Sequence, residues 1–169
     1  MKKFAIFFTL ILICLSTQAS FAQKASSAEE KATFVKGTRL LEQEPLSKNA
    51  KKIREGLLIW LIQAPDVSVT LCSDFLSPIM DKKYKYSSEA TGQFTYGMGA
   101  FIIENPASAK DNNAVYEAGL ESVLKMYESI LKEKPKEVNE FMSSMIEKRD
   151  KRQLAEYITD ILSKGGCKS

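Results

Sequence analysis

The sequence predicts an all-α, single-domain protein, either an orthogonal helical bundle or a short stack of helical hairpins, with about six to seven helices. Three observations lead there. Apolar residues recur at three- and four-residue spacing through most of the chain, prolines at 65, 106 and 135 punctuate those recurrences, and the length suits one core. The expected organisation is residues 1–22 as a signal peptide, 23–27 as a flexible N-terminus and 28–169 as the helical domain.

The opening segment has the three parts of a cleavable export signal: Lys2 and Lys3, an apolar run from Phe4 to Leu15, then small and polar residues from Ser16 to Ala22. Ser20 and Ala22 place small side chains at the third and first positions before Gln23, so cleavage is expected after Ala22. Thr17 and Ala19 offer the same spacing further upstream. The apolar run falls short of the roughly 20 residues a membrane-crossing helix needs, so no permanent membrane anchor is expected. Bulky Ile13 argues against Cys14 as a lipid-attachment site. The chain is accordingly read as exported, either periplasmic or secreted.

Export changes the charge. Without Lys2 and Lys3, the 24 basic residues fall to 22 against 21 acidic ones, a net charge of +1. Such a balance offers no electrostatic case for nucleic acid. With Cys14 removed, Cys72 and Cys167 remain as an even pair bound for an oxidising compartment, and a disulfide between them is expected.

The helices follow in order. Ser27 and Glu30 have the spacing of a capping box and start a helix running to about Gln43, with Phe34, Val35, Thr38 and Leu41 inward. Ala50, Ile53, Leu57, Trp60, Leu61 and Ala64 form a second stripe that Pro65 stops. Residues 66–71 alternate as a strand would, but a lone strand has no partner, so a short helix over about Val69 to Met80 is preferred.

From Ser88 to Glu104, Ala90, Phe94, Met98, Phe101 and Ile102 make a helical face; a hairpin turning at Gly97 to Gly99 is the alternative. If that segment is helical, Gly92, Gly97 and Gly99, each costing about 1 kcal/mol against alanine, mark where another helix packs close. A long helix capped by Asp111, Asn112 or Asn113 follows, facing inward with Tyr116, Leu120, Val123 and Tyr127 and pairing Glu121 with Lys125 and Glu128 with Lys132. Pro135 ends it and suits the first turn of the next helix, which carries Val138, Phe141, Met142 and Met145. Asp150 and Gln153 open a last helix that stops at Gly165. Gly56 and Trp60 precede Pro65 at the offsets by which Gly97 and Phe101 precede Pro106. That echo is similar to tetratricopeptide hairpin stacking but lacks its regular spacing and full residue set, so a generic bundle is expected.

The chemistry is limited by what is missing. The sequence contains no histidine. That removes the usual proton shuttle, the Ser/His and Cys/His nucleophile pairs and the commonest zinc ligand. No Gly-rich phosphate loop and no C-x-x-C pair are present, so neither cofactor nor metal is expected. Glu104, after the apolar run Ala100 to Ile103, is the candidate general acid, which burial would have to tune. Tyr84, Tyr86 and Tyr96 cluster around a loop with Lys82, Lys83 and Lys85, a composition suited to stacking on a sugar or holding an anionic group.

Recognition is better supplied than proton transfer. The expected function is an exported, noncatalytic helical protein that binds a protein partner or a cell-envelope ligand. The alternatives are a small glycan-directed hydrolase using Glu104 and a structural accessory protein without a dedicated site.

Overall fold

The computed structural model describes residues 25–164. The expected signal peptide with Cys14, and Gly165 and Cys167, lie outside the described residues. The helices are α1 (Ala28–Gln43), α2 (Ala50–Gln63), α3 (Ser73–Leu76), α4 (Ser87–Glu104), α5 (Asn112–Glu133), α6 (Glu140–Asp150) and α7 (Leu154–Ser163), with a 3-10 turn at Pro106–Ser108. No strand occurs among the described residues. The protein is an all-α helical domain, the class its periodicity predicts.

Local signals set several boundaries. The Ser27 hydroxyl accepts the Glu30 N–H at 3.2 Å while the Glu30 carboxylate accepts the Ser27 N–H at 2.7 Å, so the expected capping box starts α1. The Asp111 side chain accepts the Ala114 N–H at 3.2 Å and opens α5. Pro65 follows directly on Ala64, which closes α2.

Helix α4 packs against α5, α1 and α2. It buries Ala90, Phe94, Met98 and Ala100, with buried residues all round its circumference, as a helix enclosed by others does. Its partner is α5, and glycines set their separation. A Cβ at Gly97 would fall 2.4 Å from Ser122 Cβ on α5, and one at Gly119 of α5 would fall 2.8 Å from Met98 Cγ on α4. On another side, a Cβ at Gly99 would fall 3.0 Å from the Phe34 ring, where α1 packs. The helical reading of this segment is therefore the observed one, and Gly97 and Gly99 do mark close approaches. The three atoms nearest to a Cβ at Gly92 would all belong to Tyr96 of its own helix.

A buried polar chain crosses the α1, α4 and α5 contact. Gln93 Nε2 donates to Thr38 O at 3.2 Å and to Ser122 Oγ at 2.8 Å, and Ser122 Oγ donates to Glu42 at 2.7 Å. At the other end, the Tyr127 hydroxyl accepts the Asn139 N–H at 2.9 Å and lies 3.0 Å from Ser143 Oγ, tying α6 to α5.

Four local expectations are corrected. Residues 66–72 are not helical, and only Ser73–Leu76 forms α3; the Tyr116 hydroxyl donates to Thr70 O at 2.8 Å, a long-range bond that serves a backbone carbonyl without a helix. Helix α6 starts at Glu140 instead of Pro135, because the Asn139 side chain accepts the Met142 N–H at 2.9 Å. Asp150 ends α6 and does not cap α7; Arg152, at φ 60°, breaks the chain direction between them. Glu128 turns from Lys132 to Arg149 of α6, which it holds through two bonds of 3.0 and 2.7 Å.

Candidate functional site

Helix α2 carries more apolar residues than its core face uses. Ala50, Leu57 and Leu61 are buried, whereas Leu58, Ile59 and Ile62 face away from the core and are exposed. Leu58 lines a groove of ≈ 830 Å³ together with Leu71 and Met80. These three side chains are 47%, 46% and 53% exposed. Gly92, Thr95 and Tyr96 of α4 also line it. The Tyr96 hydroxyl donates to Arg54 O at 3.0 Å, so α4 and α2 are joined here by a direct bond.

Charges of both signs line the groove: Lys51, Arg54 and Lys82 against Glu55 and Glu89. Burial pulls the Arg54 guanidinium below its ordinary value, and Glu89 acts in the opposite direction. The Thr91 and Thr95 hydroxyls, also on this surface, donate to the carbonyls of Ser87 and Thr91 at 2.8 and 3.0 Å. With those donors already engaged, the groove offers apolar contact from Leu58, Leu71 and Met80 and ionic contact from its charged side chains.

The aromatic residues singled out from the sequence are placed in the core. Tyr84, Tyr86 and Tyr96 are all buried. The Tyr84 ring stands edge-on to Tyr86 and Tyr127, with centroids 5.8 and 6.1 Å apart, and the Tyr96 ring packs edge-on to Phe34 at 6.3 Å. Tyr84 and Tyr86 are brought together, and Tyr96 lies apart from them against α1 and α2. Tyr84 borders a cleft of ≈ 850 Å³ with Lys83, Lys85, Lys136 and Glu137, and Tyr96 borders the groove. None of the three presents a flat exposed face for stacking.

Glu104 ends α4 with its side chain 41% exposed, and Arg39 donates to it at 2.7 Å. The same guanidinium donates to Glu42 at 2.6 Å. Two carboxylates therefore stand near one another, but one arginine holds both and neither lines the groove or the cleft. An apolar setting of the kind a general acid needs is absent around Glu104. Cys72 is buried at the start of α3. No group of three or more potential metal ligands occurs among the described residues. No helix among them is long and apolar enough to cross a membrane.

No protein-family model, curated protein or solved structure matches the chain.

The residues that sequence reasoning passed over are Leu58, Leu71 and Met80, with Ile59 and Ile62 beside them. A signal for them existed. Once Ile53, Leu57, Trp60, Leu61 and Ala64 had filled the inner face of α2, three large aliphatic residues were left on the other side.

Proposed function

We propose that this chain is an exported, noncatalytic helical protein, periplasmic or secreted, that binds a protein partner or a cell-envelope ligand through the groove between α2 and α4. One observation carries the reading: Leu58, Leu71 and Met80 line, half-exposed, a groove of ≈ 830 Å³ that charged side chains of both signs also line. A surface that combines apolar and charged side chains in this way suits recognition of another molecule. The pairing of Glu104 with Arg39, in the open, supports recognition over glycan hydrolysis. The test uses protein purified after export. Leu58→Asp and Met80→Asp are expected to lower binding of the partner at least tenfold with helix content unchanged. Turnover of cell-wall glycan that Glu104→Gln abolishes would replace this reading with the hydrolase.

Export and cross-linking belong to the same proposal. Cys72 is joined to Cys167, tying the C-terminus to the start of α3. Its support is that Leu162 of α7 lines a cavity together with Ser68 and Thr70, so the chain leaves α7 close to the segment that leads into Cys72. Closing a loop of about 100 residues contributes on the order of 4–5 kcal/mol in the chain-entropy model. Intact mass of the unreduced exported protein checks both points. It is expected to begin at Gln23 and to weigh two hydrogens less than the dithiol. Retained Met1, or two free thiols, would refute the corresponding half.

A further inference from the structure

We infer that the outward face of α2 pairs with the same face of a second copy of this chain, the two helices running antiparallel. The inference rests on the reading of this side as a binding surface and names its occupant. Lys51, Glu55, Leu58 and Ile62 recur at four, three and four residues, which sets them in one row along the helix, with Ile59 beside it. Ile62 is 75% and Ile59 57% exposed, and with Leu58, Leu71 and Met80 they present on the order of 500 Å² of apolar surface, within the range of about 300–600 Å² that marks the largest, often functional, patches of monomers. A standard interface covers about 800 Å² on each partner, a little over half of it apolar, so this one face supplies the apolar area that a stable pair needs.

The charges fit a copy of the same surface better than a partner of one sign. Lys51, Arg54 and Lys82 stand against Glu55 and Glu89, a nearly balanced set. Their order along α2 also indicates direction. The first turn of α2 holds Lys51 and Lys52 and no acidic residue, and its last turn holds no basic one. That arrangement is unfavourable for the helix's own dipole, whose N-terminal end is positive. It becomes favourable when an antiparallel copy brings its carbonyl end beside those lysines. A C2 pair centred near Leu58 and Ile59 does this twice, once at each end, and matches the self-complementarity that an isologous interface requires.

The experiment is sedimentation equilibrium on the exported, purified protein at micromolar concentration. The expected mass is that of two chains, and Ile62→Lys or Ile59→Lys, both at exposed positions, should return it to one with the far-ultraviolet circular dichroism unchanged. Lys51→Glu, which puts a carboxylate where Lys51 now stands 4.0 Å from Glu55, should weaken the pair several-fold, a loss that an association indifferent to the helix ends would not show. A wild-type protein that sediments as one chain overturns the pairing. The fluorescence of an apolar dye, anilinonaphthalene sulfonate, then separates the two readings: dye bound by the monomer and lost in Leu58→Lys leaves the groove as a binding surface for another molecule, and no dye bound removes that reading as well.

Discussion

The Tyr84 hydroxyl is buried without a hydrogen-bond partner among the described residues, and burial pushes its phenol well above the ordinary range. Burial therefore favours the neutral phenol. Tyr96 differs by one bond, since its hydroxyl donates to Arg54 O. The two tyrosines should therefore answer the same substitution in opposite ways. Tyr84→Phe removes a desolvated polar group that gains nothing in return, so thermal unfolding should show stability unchanged or raised by up to about 1 kcal/mol. Tyr96→Phe should lower it by about 1 kcal/mol. A loss at Tyr84 as large as at Tyr96 would mean that the Tyr84 hydroxyl has a partner in solution. Neither environment is visible from the residues around them. The lysines at 82, 83 and 85 made the segment read as a surface loop, and the rings turn inward from a backbone whose lysines stay in water.

At the scale of an element, the start of α1 shows how a cap becomes an anchor. Beyond the Ser27 and Glu30 box, Asp66 accepts the Ser26 N–H at 3.1 Å and pairs with Lys31 at 2.6 Å, fastening α1 to the segment after α2. Lys31 first, then Ser26, hold the Asp66 carboxyl at about 2, below its unperturbed value of 3.8. A carboxylate whose pKa is lower folded than unfolded stabilises the fold above the unfolded value and loses that contribution as pH falls toward the folded one. The melting temperature of the wild type should exceed that of Asp66→Asn at pH 6, and the gap should narrow as pH falls from about 4 to 2. A gap independent of pH would show that the ion pair is not what fastens α1. Elements of this kind divide by how local their signals are. The box at Ser27, the cap at Asp111 and the stop at Pro65 act within four residues and were legible. The extended run to Cys72 depends on Tyr116, and the start of α6 on Asn139 prevailing over Pro135, so the first needed contacts across the fold and the second a choice between two local signals of similar strength. The groove was half-legible, because α2 showed too many aliphatic residues for one face but Leu71 and Met80 reach it only through the fold.

The whole molecule is organised about the seam where Gly97 of α4 meets Ser122 and Gly119 of α5 meets Phe94 and Met98. A methyl group at Gly97 would lie 2.4 Å from Ser122 Cβ and 3.1 Å from Ala118 O, so neither a side chain nor the backbone has room to give. Overpacking of this kind costs about 1–3 kcal/mol, and the gain in helix propensity returns about 1. Gly97→Ala should destabilise by about 1–2 kcal/mol in urea unfolding. Gly56→Ala, with nothing within 4 Å of the new methyl, should stabilise by about 1 kcal/mol. The seam has a consequence in time as well. Its two helices are joined by the short connector 105–111, so this tight contact closes early in sequence terms, whereas docking α1 and α2 onto α4 spans a longer loop. The α4 and α5 hairpin is then the natural nucleus. In stopped-flow refolding, Gly97→Ala should act chiefly by slowing folding, with a φ-value above about 0.5, whereas Phe34→Leu on α1 should leave the folding rate nearly untouched and speed unfolding. The reverse order would place the first-formed contact on α1 instead.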